Sequence, residues 1–238
     1  MRKQLLILVL FLISAKVLGC SCGPTKIVNA YSIYNFIGVV EFTSLTKIEN
    51  SYGMYESTFN IKELFKGIRS QKIYIDSMEG SSCGFLPKKN TPYFIFAYKT
   101  RKGKTVISYC QAQSNPDEKT VSIVRELSRR KIGQTMSSNL RQRLKGDLNS
   151  ELFESSLNAI FIYKVSLNSD LSISKIQPQN EHASMNFNEE IKRELKKKIV
   201  YEINEDDIKT KKKNLTSYII LDWQINYEDQ RVISIPTL

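Results

Sequence analysis

The sequence predicts a mainly β chain of two domains: a small closed β-barrel with a flanking helix, followed by a small α+β sandwich. Two observations carry this. Five short segments rich in β-branched and aromatic residues succeed one another with no helical stretch between them, and the last third of the chain runs strand, strand, helix, strand.

The barrel strands are expected at FIGVVEF (36–42), YESTFNIKELF (55–65), KIYID (72–76), YFIFAY (93–98) and TVISYC (105–110), bounded by turn pairs such as Lys66-Gly67, Glu79-Gly80 and Lys102-Gly103. The segment NPDEKTVSIVRELSRRK then reads as one amphipathic helix packed on the barrel, capped by Asp117 and carrying Val121, Val124 and Leu127 on one face. Residues 132–156 are polar and basic without a sustained apolar stripe and read as a linker. The domain over 157–238 is expected to hold strands at 159–167 and 172–177 around a turn at Asn168–Asp170. A helix then starts near Asn188 with Ile191, Leu195 and Ile199 at a spacing of four, and a last strand covers 215–227.

Ahead of the barrel, Arg2 and Lys3 lead into LLILVLFLIS, and residues 1–19 read as a secretion signal, the apolar run being short for a membrane span. An uncleaved anchor is the alternative. Cleavage after Gly19 makes Cys20 the first mature residue and predicts a secreted or cell-envelope protein. In 238 residues the formal charge is +11, which in an exported chain reads as solubility and attraction to anionic lipid or polysaccharide rather than to nucleic acid. An OB-type grip on single strands through Tyr93, Phe94 and lysines is disfavoured for the same reason.

No enzyme is expected. His182 is the only histidine, so the chain alone cannot build a site of two or three histidines, and there is no G-x-S-x-G, phosphate loop or H-E-x-x-H motif. Glu205, Asp206 and Asp207 read as a solvated turn. No cofactor and no metal of the chain's own is implied.

The four cysteines are Cys20, Cys22, Cys83 and Cys110. The pair in GCSCGPT admits three uses. A metal clip would need every cysteine in an oxidising compartment. A lipid attachment at Val17-Leu18-Gly19-Cys20 would leave an odd cysteine. A disulfide framework uses the opposite directions of alternate side chains on an extended segment, so that Cys20 and Cys22 reach different parts of the barrel, with three pairings open.

The pieces CSCGP, YESTFNIKELFKG, SSCGFLPKK, YFIFAY and Cys110 resemble, in order and spacing, the N-terminal domain of the tissue inhibitors of metalloproteinases within the netrin-like family, over residues 20–131. The resemblance implies a five-stranded OB-like barrel and disulfides Cys20–Cys83 and Cys22–Cys110. It also implies inhibition of a zinc metalloendopeptidase: Cys20 chelates the protease's zinc through its amine and carbonyl, Ser21 enters the substrate pocket, and Cys22, Gly23 and Pro24 continue the contact edge. The zinc belongs to the target. The chain departs from the family in lacking both cysteines of a third bridge and in carrying a cysteine-free second domain. That domain, over 157–238, resembles the TonB C-terminal domain through YKVSLNSDLSISKIQ, EEIKRELKKKI and YIILDWQINY. The alternative is a non-inhibitory exported or lipid-anchored envelope protein whose barrel binds another exported protein, with membrane attachment through a lipidated Cys20.

Overall fold

The computed structural model describes residues 20, 22–23, 25–69, 72–132, 140–153, 159–185, 187–203, 215–225 and 231–237. The predicted secretion signal, Ser21, Pro24 and the carboxylates at 205–207 lie outside these residues. The chain divides into two compact units: residues up to Gly23 with Asn35–Asn115, and Pro24–Tyr34 with Pro116–Leu238.

The first unit is a closed five-stranded mixed barrel. β1 (Phe36–Lys47), β2 (Met54–Lys66), β3 (Ile73–Asp76), β4 (Pro92–Lys99) and β5 (Thr105–Ile107) pair in the ring β1-β2-β3-β5-β4-β1, and β6 (Ala112–Ser114) adds to β4. The β3–β5 pairing is parallel and the other pairings are antiparallel. Closure depends on β1, which pairs β2 along one edge and β4 along the other; register shifts at Ile37/Gly38, Val39/Val40 and Phe42/Ser44 let it bend. Gly38 is needed in that bend, because a Cβ there would lie 2.7 Å from the carbonyl oxygen of Glu63. The interior holds Phe36, Val40, Phe42, Ile73, Ile75, Tyr93, Ile95, Ala97 and Ile107. On β4 the alternate residues Phe94 and Phe96 are buried too, so this strand is covered on both faces, which explains the unbroken apolar run YFIFA.

The second unit begins with α1 (Ile27–Ile33), which buries Ile27, Val28, Ala30 and Tyr31. After the barrel come α2 (Glu118–Arg129), β7 (Leu140–Leu144), β8 (Ala159–Leu167), β9 (Ile173–Pro178), α3 (Glu181–Met185), α4 (Glu189–Lys198), β10 (Ile199–Ile203), β11 (Leu215–Ile225) and β12 (Arg231–Ser234). The strands form an antiparallel sheet in the order β12-β11-β8-β9 and a ribbon β10-β7. Phe161, Tyr163 and Val165 of β8 and Ile219, Leu221 and Trp223 of β11 share one core with Ile191 and Leu195 of α4 and with Leu140 and Tyr201 of the ribbon. The other face of the sheet, at Ile162, Tyr218 and Ile220, is also buried. On that face Asp222 forms an ion pair with Lys119 of α2, and α1 contacts both α2 and β11.

Several predicted features change. The helix after the barrel forms where expected, with the Asp117 carboxylate accepting from the Thr120 N–H at 3.0 Å, but it belongs to the second unit rather than the barrel. Its apolar stripe and its ion pair to Asp222 give it partners there. The linker predicted over 132–156 contains β7, and Leu148 and Phe153 are buried in the core of the second unit. In LRQRL, Leu140 and Gln142 are buried while Arg141 and Arg143 face out, an alternation too short and too basic to stand out from the sequence. Helix α4 starts at the predicted cap, where the Asn188 side chain accepts from the Ile191 N–H at 3.0 Å. It stops at Lys198, and Ile199 opens β10 instead of ending the helix.

Candidate functional site

The candidate site is the cysteine pair and the barrel segments that hold it. Cys20 is bonded to Cys83 and Cys22 to Cys110, across sequence separations of 63 and 88 residues, and no cysteine is free. The two residues flanking Ser21 are thus tied to different segments of the barrel. Each bridge closes a loop long enough to be worth about 4 kcal/mol in the chain-entropy model, although the loops overlap and the two values do not add.

Cys83 sits in the β3–β4 connection, which the sequence folds into nested turns. Asp76 ends β3, and Met78 and Gly80 take left-handed conformations. The Ser81 N–H donates to the Met78 carbonyl at 3.1 Å, Gly84 N–H to the Ser81 carbonyl at 3.0 Å, and Cys83 N–H to the Ser81 hydroxyl at 3.2 Å. Phe85 N–H closes the loop onto the Ser77 carbonyl at 2.8 Å, while Ser77 N–H reaches Gly53 in the β1–β2 turn, also at 2.8 Å.

Glu79 fastens the same loop to the barrel. Its carboxylate accepts from Lys47 Nζ at 2.8 Å and from the Tyr55 hydroxyl at 2.5 Å, and its carbonyl accepts from the Tyr52 hydroxyl at 2.6 Å. The Lys47 bond first, and the Tyr55 bond next, hold the Glu79 carboxyl below the usual carboxylate range.

Cys110 lies in a 3-10 turn over Tyr109–Gln111, where the Gln111 side-chain oxygen accepts from the Ser108 N–H at 3.0 Å. The two cysteine-bearing segments meet through aromatic rings. Phe85 packs edge-on against Tyr93 and Tyr109, at centroid distances of 6.1 and 6.2 Å. The Tyr93 hydroxyl accepts from the Lys88 N–H at 2.9 Å.

Cys20 is half-buried and Cys22 and Gly23 are exposed. On the same unit, in or beside the segments that hold Cys83 and Cys110 and in the β1–β2 turn, large apolar side chains have much of their area in solvent: Tyr52 (80%), Leu86 (46%), Tyr109 (42%) and Met78 (37%). Leu86 and Tyr109 fall inside the pieces SSCGFLPKK and TVISYC and Met78 precedes the turn at Glu79-Gly80, but no sequence pattern distinguishes these four exposed side chains from core residues. His182 is exposed on α3, and among the described residues no three His, Cys, Asp or Glu side chains are grouped to hold a metal ion. No described helix is long and apolar enough to cross a membrane. Two disulfides are compatible with an extracellular or envelope location. No family model matches the chain, and no curated protein matches it.

Proposed function

We propose that the mature protein is an exported inhibitor of zinc metalloendopeptidases in which Cys20 is the chelating residue. The observation that carries this is the double pinning of the Cys20–Cys22 segment to the barrel at Cys83 and Cys110. A catalytic zinc with three protein ligands keeps one position for water. An α-amine with a pKa of about 8 and the carbonyl of the same residue can take that position, and a backbone already rigid loses little entropy on doing so. Ser21 then enters the substrate pocket, and Cys22, Gly23 and Pro24 extend the contact edge. The protein is in this reading a ligand of an enzyme and has no catalytic residue, cofactor or metal of its own.

Two further features support the reading. The ring order β1-β2-β3-β5-β4-β1 with its parallel β3–β5 pair favours an OB-like, netrin-type barrel. The Cys20 sulfur is spent in its bridge, and a thioether to lipid would need the same atom, so the bridged form leaves the amine available once the signal is removed. The likeness of the second unit to the TonB C-terminal domain rests on the β8–β9 hairpin, α4 and β11, and fits an envelope location.

A second reading rests on the exposed Tyr52, Met78, Leu86 and Tyr109. These side chains could bind another exported protein with no part for zinc. Intact mass and N-terminal sequencing of the mature protein come first, since a lipid on Cys20 removes the chelation mechanism. The decisive assay is inhibition of a panel of zinc endopeptidases by the chain beginning at Cys20 and by the same chain with one alanine added ahead of it. Loss of inhibition on extension supports chelation; equal inhibition by both rejects it in favour of the apolar contact surface.

A further inference from the structure

The two ends of the barrel differ in chemistry. At one end lie the cysteine pair, the β1–β2 turn and the β3–β4 connection. At the other, β2 and β4 finish and β3 and β5 begin, so that the β2–β3 and β4–β5 loops emerge side by side; the pairing of Ile73 with Thr105 sets Lys72 next to Lys104. Residues 66–72 and 99–104 contain no Asp or Glu. Arg69, Lys72, Arg101, Lys102 and Lys104 are all exposed there, and Ile68 among them is 64% exposed.

The β4–β5 tip is ordered by its own bonds. The Thr100 N–H donates to the Lys104 carbonyl at 2.8 Å, Gly103 N–H to the Thr100 carbonyl at 2.9 Å, and Lys104 N–H to the Thr100 hydroxyl at 3.2 Å. Gly103 takes a φ of +80°, which a side chain would strain. Lys104 Nζ lies 4.8 Å from the centroid of the Tyr74 ring. Lys72 bonds Glu56 at 2.7 Å.

We propose that this end of the barrel, formed by the β2–β3 and β4–β5 loops, is a docking surface for an anionic lipid bilayer, with Arg69, Arg101, Lys102 and Lys104 at the headgroups and Ile68 inserted among them. The shape selects the partner. A free phosphate or other small anion needs donors converging on one point, whereas these cations are exposed side chains spread over two neighbouring loops, a distribution that an extended charged surface can meet together. An exposed isoleucine beside exposed cations suits a lipid interface, apolar at depth and anionic at its surface. A membrane held at this end leaves the cysteine-bearing end of the same barrel directed away from the bilayer.

The test uses the mature chain from Cys20 with both disulfides formed and no lipid attached, sedimented with vesicles of phosphatidylcholine containing phosphatidylglycerol and with vesicles of phosphatidylcholine alone. Binding is expected to the anionic vesicles only and to weaken with salt. Each Lys or Arg near such a surface contributes about a fivefold gain, so R101E/K102E is expected to weaken binding by more than about tenfold, and Arg69→Glu by several-fold. Ile68→Ser is expected to remove the binding that survives added salt. The control K196E/K197E makes the same change in net charge on two exposed α4 residues and is expected to stay within about twofold of the parent. Unchanged unfolding midpoints establish that the variants are folded. Equal losses from the two double variants would overturn the proposal in favour of attraction by net charge. Failure to bind anionic vesicles, or capture by a soluble sulfated polysaccharide without vesicle binding, would overturn it as well. No protease enters the assay, so its outcome is independent of the inhibitory reading.

Discussion

The Ile27 N–H donates to the carbonyl of Pro236 at 3.0 Å, and Lys26 bridges Thr237 beside it. A helix that begins only seven residues after Cys20 is therefore bound to the far end of the chain. Its buried residues Ile27, Val28, Ala30 and Tyr31 find their partners in the second unit. A chain stopped after Lys131 is expected to expose this face, to bind a hydrophobic dye and to aggregate, whereas the whole chain from Cys20 is expected to do neither. Ile27→Ala in the whole chain is expected to cost about 2–5 kcal/mol, read from urea unfolding.

The bridge Cys22–Cys110 offers a second test. Replacing both cysteines by serine is expected to lower stability by roughly 2–5 kcal/mol in the same unfolding measurement. It should also weaken any zinc endopeptidase inhibition, because Cys20 would then be held from one side only.

Asp222 accepts from Gln224 Nε2 at 2.9 Å and pairs with Lys119, at a largely buried position on β11. Asp222→Ala would leave the Lys119 ammonium beside a buried sheet face without its counter-charge. A loss of about 1–3 kcal/mol is expected. Lys119→Ala made together with Asp222→Ala should lose less than the two separate changes summed, which a double-mutant cycle measures.

The Glu79 carboxyl predicts a pH dependence in the Cys83 loop. Its folded pKa lies below the ordinary value of 4.5. A depressed carboxyl contributes stability that is fully present above the unfolded value and is lost as pH falls through the folded one. Amide exchange in residues 77–85 is therefore expected to lose protection, after correction for the intrinsic rate, as pH drops below about 4.5, the ordinary value given above. Glu79→Gln should flatten that response and leave the barrel strands unaffected.

The barrel strands were legible because each places β-branched and aromatic residues between turn signals, and the starts of α2 and α4 were legible because Asp117 and Asn188 cap them through their side chains. Helix α1 was not. It has seven residues, no side-chain cap at Lys26 and no charged residue in its first turn or basic residue in its last. β10 was hidden for a different reason: Ile199 continues the spacing of Ile191 and Leu195, so the step from helix to strand leaves the apolar period unbroken. At the site, the cysteines marked themselves, but their spacing alone permits three pairings. The bonds to Glu79 join residues far apart in sequence, and no local pattern announces such contacts.

The chain passes between its two units at Gly23/Pro24, at Tyr34/Asn35 and again at Asn115/Pro116. A gene fusion that joins two finished domains makes one such passage. Here α1 lies, in sequence, inside the barrel's own stretch, so neither half can be exchanged, duplicated or inherited alone without carrying away a piece of the other. The two units are thereby tied into a single heritable module by the order of their segments along the chain.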